Sequence, residues 1–330
     1  MLLRELGAST AGYALPPSTD PSFFESVGLS ALLDRHVVAD ARDLATLSRA
    51  IRDCGPEIIF HLAAQPLVRE AFRSPLVTFD VNVMGTVNVL EAARSLDGVR
   101  AIIVVTSDKV YDNREWEWDY RESDRLGGRE AYGVSKACAE LVVDAYRHSF
   151  LASKAIGIAT VRAGNIIGGG DWAPERLVPD IMRGYSTGKP VVIRNPDAIR
   201  PWQHVLEPCC GCLVLAERLV LEPEAFSGSW NFGPSREGHR SVSWIVENCA
   251  RLWGEGAKWD VDRQTRPYEA KRLAISSAKA ELHLGWRPRW PIDAALERTV
   301  RWYRAAFQRL DLLKETLVDV RDRIAEHSIA

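Results

Sequence analysis

Residues near the middle of the chain have the types and spacing that proton transfer requires. Ser107, Asp108 and Lys109 follow the apolar run Ala101-Ile102-Ile103-Val104-Val105, Tyr132 comes 25 residues after Ser107, and Lys136 stands four beyond Tyr132. Tyr-x-x-x-Lys at helical spacing places both side chains on one face, one turn apart. A free phenol titrates near 10, so it acts as a base near neutrality only where a cation favours its phenolate, and Lys136 is the candidate cation. A Ser107 hydroxyl bonded to the same substrate oxygen completes a trio that takes a proton from a hydroxyl while its carbon gives up hydride. That hydride needs an acceptor, which implies a nicotinamide cofactor. Alone, a Tyr and a Lys four apart also describe a solvated helix face, so the pair draws its meaning from its surroundings.

The elements that must position these groups are legible as alternating strands and helices. Residues 101–105 are short and β-branched, as in a strand buried on both faces, and the run stops at a polar group where open α/β sheets bind ligands. Further strands are expected at Thr10–Ala14, Val37–Val38, Ile58–Gln65, Ile158–Val161 and Trp230–Phe232. Helices are expected from Asp43 to Arg52, over 75–94, around Tyr132, at Val242–Trp253, at Ile292–Phe307 and over 311–330. His61 reads as a satisfied strand histidine, and Asn82, mid-helix, as a group able to bond the strand ends. The glycine run 168–170 marks the crossing into a second lobe, where adjacent glycines let the chain turn closely around a ligand. The expected class is α/β: a Rossmann-type doubly wound parallel sheet with a smaller α/β substrate-binding lobe. The dinucleotide domain is placed at 1–164 with a return near 202–231, and the substrate lobe at 165–201 and 232–330.

Composition narrows the function classes. The chain has 330 residues, 46% hydrophobic and 26% charged, with 42 basic against 44 acidic residues and a net charge of −2. No bulk attraction to nucleic acid or to an anionic membrane surface follows from such a balance. No apolar run approaches the roughly 20 residues of a membrane span, and the first residues lack a signal-peptide pattern, so a cytoplasmic location is the default expectation. The six cysteines show no disulfide framework, and Cys210-Gly-Cys212 lies in an apolar, helix-like segment without a second ligand pair, so buried thiols are expected and no metal.

T-S-D-K-V-Y at 106–111 followed by Y-G-V-S-K at 132–136 resembles the extended short-chain dehydrogenase/reductase family, and within it the sugar-nucleotide 4,6-dehydratases. Supporting segments are G-Y-A-L-P-P-S-T-D-P-S-F-F-E at 12–25, H-L-A-A-Q-P-L-V-R at 61–69, N-V-M-G-T-V-N-V-L-E-A-A-R at 82–94 and R-A-G-N-I-I-G-G-G-D-W-A-P-E-R-L-V-P-D at 162–180. The resemblance covers nearly the whole chain. Ser107-Asp108-Lys109 is its most discriminating element, because relatives acting on dTDP- and GDP-sugars usually carry Thr-Asp-Glu or Ser-Glu there. It implies CDP-glucose as substrate and NAD as a recycled cofactor. About 20 residues bearing a first strand and a Gly-x-x-Gly-x-x-Gly turn are then expected ahead of Met1, with a misplaced start site as the reading. Without them, weak NAD binding and unpaired strand edges are expected.

By the same resemblance Asp40, Ala63 and Ala64 contact the cofactor together with Tyr132 and Lys136. Gln65, Asn165, Arg176 and Arg200 contact the substrate, and Arg162 lies in a third arginine-bearing segment that suits a diphosphate. Asp43 fits a helix cap better than Asp40 does. Glu122 matches an acidic position before the catalytic tyrosine, equally readable as a solvated loop, and Arg266–Ala270 matches a segment near the nucleotide. The helices over 75–94 and around Tyr132 imply a homodimer. In the implied reaction Tyr132, Ser107 and Lys136 oxidise carbon 4, Asp108 is the acid for the departing 6-hydroxyl, and Lys109 is the base at carbon 5. Lys109 must be desolvated or pressed by other cations to be neutral. Two alternatives stay open: another sugar-nucleotide epimerase or reductase, which needs no Asp-Lys pair, and a non-catalytic relative.

Overall fold

A computed structural model of the chain describes residues 1–254, 256–262 and 270–327. Four parallel strands form the sheet that carries the candidate site, in the order Ile58–His61, Ala101–Val105, Gly157–Ala163 and Gly228–Phe232. Ala101–Val105 therefore has a neighbour on each side, and its alternating side chains enter two separate cores. Ala101 and Ile103 pack with Leu215, Leu219, Trp230 and Phe232, while Ile102 and Val104 pack with Leu90, Ala93, Val143 and Ile158. Helices thus cover both faces, as a continuous apolar strand requires. Each of the buried Ile, Leu and Val side chains among them contributes about 1.5–3 kcal/mol to the fold.

Ala11–Ala14 and Arg35–Val38 form a separate parallel pair, Gly12 opposite His36. A three-stranded sheet joins Asn165–Ile167, Ile199–His204 and His239–Ser241, and Val191–Ile193 pairs with Trp259–Val261. Around them Ile181, Met182, Tyr185, Ile245, Leu296, Val300, Trp302 and Tyr303 form a third core. The expected strand 58–65 stops at His61, because Leu62 and Ala63 are exposed past the sheet edge. Residues 75–94 run as one helical path, but Asp80–Met84 form a π-turn between the α-helical stretches Pro75–Phe79 and Gly85–Arg94. The glycine run answers to a packing requirement. A Cβ on Gly169 would meet the Trp302 ring at 2.1 Å, and one on Gly170, whose φ is +87°, would meet Phe23 at 2.1 Å. Cys210 and Cys212 are buried in the helix Leu206–Leu221, and no cluster of metal-ligating side chains occurs among the described residues.

Candidate active site

The strand Ala101–Val105 delivers the reactive groups directly. The Thr106 N–H still donates to the Val161 carbonyl at 2.8 Å, keeping sheet register one residue past the strand. Ser107 is extended, and its Oγ accepts the Lys109 N–H at 3.2 Å, capping the short 3-10 turn Asp108–Val110. The same hydroxyl donates to Asp108 Oδ1 at 3.1 Å, and Oδ2 of this buried carboxyl has no partner among the described residues. Burial pushes the Asp108 carboxyl up from its ordinary range, against the pull of Lys109, the Ser107 hydroxyl and Arg200.

Opposite this turn stands the helix Ala131–Tyr146. Its cap, Glu130, accepts the Tyr132 N–H at 2.7 Å and the Gly133 N–H at 2.9 Å. Tyr132 is buried, and burial pushes its phenol up to about 12; the Ser107 hydroxyl and Arg176 pull down, Asp108 and Glu130 push up. Lys136 was expected to lower this phenol directly, but its Nζ donates to the Val105 carbonyl at 3.0 Å instead. Burial brings that ammonium down to about 8, with Glu140 opposing. His61 bonds Thr86 at 3.2 Å and, buried beside Lys136, is held down at about 3; it is a neutral strand histidine.

Two buried networks hold these parts together. Asn82, on the π-turn, accepts the Gln65 N–H at 2.8 Å and donates to the Ser135 hydroxyl at 2.9 Å, joining the end of one strand to the catalytic helix. Glu140, one turn beyond Lys136, accepts from Thr106 at 2.5 Å and Thr160 at 2.6 Å and pairs with Arg162 at 2.8 Å. Burial raises the Glu140 carboxyl, but Arg162 and the two threonines outweigh it, so the group lies below its ordinary value.

Gly133 is the contact point between helix and turn: a Cβ there would meet the Lys109 carbonyl oxygen at 2.6 Å and Glu130 Oε1 at 3.0 Å. Gly133→Ala should therefore push Tyr132 away from Ser107 and Asp108. A stability loss of about 1–3 kcal/mol is expected by thermal melting, with turnover falling by about tenfold or more. Unchanged turnover would show that the spacing of helix and turn does not matter.

A family model described as GDP-mannose 4,6 dehydratase matches residues 33–299. The chain belongs to that dehydratase family. It is 48% identical over 316 residues to a CDP-glucose 4,6-dehydratase of Salmonella typhimurium, covering 94% of this chain and 88% of that protein. Two solved structures share the dehydratase family's fold. One is a UDP-glucuronic acid 4-epimerase from Bacillus cereus in complex with UDP-glucuronic acid and NAD: TM-score 0.80, 19% identity, 92% of this chain and 94% of that one. The other is a dTDP-glucose 4,6-dehydratase from Streptomyces venezuelae with NAD bound: TM-score 0.76, 24% identity, 94% and 95% covered.

Several residues expected to bind ligands have other employment in this member of the dehydratase family. Arg162 is consumed by Glu140, Tyr111, Ser229 and the Glu122 carbonyl, so the third diphosphate arginine is withdrawn. Gln65 gives its amide to Thr78 at 2.8 Å and accepts from Leu67 at 2.7 Å, which fits anchoring the strand end better than holding substrate. The Glu122 carboxylate accepts the Asn231 N–H at 2.8 Å; Asp43, as expected, caps its helix by accepting from Thr46.

Arg176 pairs with Asp171 at 2.9 Å and is close enough to Tyr132 to act on its phenol; buried Arg200 acts likewise on Asp108. Asn165 opens the strand next to Trp202, half-buried. Residues 266–269 lie outside the described residues, and with them most of the Arg266–Ala270 segment. For a dinucleotide, exposed Leu62 and Ala63 and half-buried Ala64 offer a bare backbone at the end of Ile58–His61. Asp40 stands at the end of Arg35–Val38, its carboxylate already held by Arg42 at 2.6 Å. These side chains are of the types such a group takes, and they stand at strand ends of two separate sheets.

Proposed function

We propose that the chain is a CDP-glucose 4,6-dehydratase, converting CDP-D-glucose to CDP-4-dehydro-6-deoxy-D-glucose and water. The observation that carries this reading is the buried Asp108 carboxyl, one oxygen unpartnered, joined to Ser107 and adjacent to the Tyr132 phenol. An epimerase needs the Ser/Tyr/Lys trio but no second acid. The 48% identity to a CDP-glucose 4,6-dehydratase supports the nucleotide choice.

In this reading Tyr132 takes the proton of the 4-hydroxyl while the Ser107 hydroxyl bonds the same oxygen and orients it. NAD, held by Asp40, Ala63, Ala64, Tyr132 and Lys136, supplies the hydride acceptor at carbon 4 and the hydride donor at carbon 6. The 4-ketone acidifies the carbon-5 proton, which Lys109 removes and returns as hydride reaches carbon 6, and Asp108, whose burial favours the protonated form, gives its proton to the departing 6-hydroxyl. Asn165, Arg176 and Arg200 hold the diphosphate, and Gln65 fixes the neighbouring strand end. We take residues 1–164, with a return near 202–231, as the NAD-binding domain, and 165–201 with 232–330 as the substrate lobe.

The test is incubation with CDP-glucose and NAD, with the product's mass read for loss of water. Loss of water from CDP-glucose ahead of the UDP-, dTDP- and GDP-sugars is expected; product of unchanged mass would overturn the reading in favour of an epimerase.

We also propose a homodimer built on the helices Pro75–Arg94 and Ala131–Tyr146. Leu76 is 81% exposed, Leu141 61% and Met84 47%, large apolar side chains on the two helical stretches that a partner would cover. Leu141→Arg should convert a dimer to a monomer by sedimentation; a parent already monomeric at micromolar concentration would contradict this. No helix among the described residues is long and apolar enough to cross a membrane, and we place the enzyme in the cytoplasm.

A further inference from the structure

Tyr132, Lys136 and Glu140 recur every four residues and so share one face of the catalytic helix, all three buried beneath the reacting groups. The first two have roles in the reaction proposed above; Glu140 has none. Its carboxylate is bonded to Thr106, the residue between Ser107 and Val105, whose carbonyl takes the Lys136 ammonium. The Arg162 guanidinium donates to both oxygens of that carboxylate, Nε to one and Nη2 to the other, so the pair lies buried together one turn beyond Lys136.

We infer that Glu140 is a positioning residue for the reaction, keeping the Lys136 ammonium charged in a site too dry to hold a lone cation. The inference rests on the dehydratase reading for the use of that charge, but not for the charge itself. Burial alone drives Lys136 toward the neutral amine, and Glu140 is the group that opposes it. The other charged or titratable neighbours do not do so. His61, across the strand edge, is neutral; Arg162 is itself a cation; burial disfavours the anions of Asp108 and Tyr132. Tyr111 bonds Arg162 and is pushed up by burial, and Lys279 and Glu122 lie beyond Arg162.

Three variants separate this from a merely structural role: Glu140→Gln, Glu140→Asp and the double variant Glu140→Gln/Arg162→Met. The first leaves the Arg162 charge buried and unpaired and is expected to lower the melting temperature; the double variant removes that conflict.

One readout needs no cofactor. Lys136 sits at about 8 in the fold against 10.5 in the open chain, so the cost of burying its charge is full below pH 8 and fades as pH rises from 8 toward 10.5. Without Glu140 that fading starts at lower pH. The melting-temperature gap between parent and double variant should therefore narrow between pH 6 and 8, which loss of packing alone would not produce.

The second readout is the alkaline limb of the turnover profile. It should move toward acid by about one pH unit or more in both Gln variants, a tenfold change in proton affinity, and return toward the parent's position in Glu140→Asp. A pH-independent melting gap together with an unmoved limb would overturn the inference. Failure of the dehydratase reading alone would leave the melting gap in place.

Discussion

Replacing Tyr132 by phenylalanine is expected to lower turnover at least about a hundredfold while the protein melts within a few degrees of the parent. The ring is buried and keeps its packing, and the residue's N–H goes to Glu130 while its carbonyl accepts the Ser135 hydroxyl, bonds that the substitution leaves intact. What is lost is one oxygen beside Ser107. Because burial holds the phenol up at about 12, it is protonated at neutral pH in the free protein. Its use as a base thus depends on what ligand binding adds to the pull that Ser107 and Arg176 already exert, and only the oxygen can respond. Steady-state rates and thermal melting check the two halves of this expectation. Retained turnover would end the assignment of Tyr132 as the acid and base at carbon 4.

The second large effect is expected from Asp108→Asn. The carboxyl is buried, one oxygen bonded to Ser107 and the other unpartnered, a poor site for a carboxylate and a good one for a neutral acid. Its raised folded value means that the open chain ionises before the folded one. Stability is then lost as pH rises from the free carboxyl value through the folded value, and above that the cost is fully present. The near-isosteric, uncharged amide escapes this cost, so the variant should be at least as stable as the parent at neutral pH. It cannot donate the proton that the 6-hydroxyl needs, so loss of water should fall by about 10²–10⁴-fold. Oxidation at carbon 4, followed by nicotinamide absorbance in a single turnover, should persist. Oxidation and loss of water falling together would place Asp108 in the first step instead.

Lys109 is separable in the same way. Its replacement by methionine should slow entry of solvent deuterium at carbon 5 while leaving oxidation in place, and unchanged deuterium entry would move the base elsewhere.

The parts of the site set by local spacing were legible in the sequence. A β-branched run ending in Thr-Ser-Asp-Lys specifies a buried strand with polar groups at its end, and Tyr132 four residues from Lys136 specifies one helix face; both are found. The Asp43 cap and the helix Val242–Trp253 were legible for the same reason. What depends on which strands become neighbours was not. Arg162 reads as a diphosphate ligand until the sheet order brings its strand beside Ala101–Val105 and under Glu140. Gln65 reads as a substrate contact until the helix 75–94 folds back and Thr78 takes its amide. The glycines at 169 and 170 read as a ligand loop, because nothing local announces that Trp302 and Phe23 need their space. Glu140 did carry a signal, a second step of four after Tyr132 and Lys136, and Gly133 sat inside the motif itself.

The most direct test of the central claim is to incubate the protein with NAD and CDP-glucose deuterated at carbon 4, and to locate the label in the product. The dehydratase account predicts a product that has lost water and carries the deuterium on carbon 6. Deuterium remaining on carbon 4 of a product of unchanged composition would contradict it.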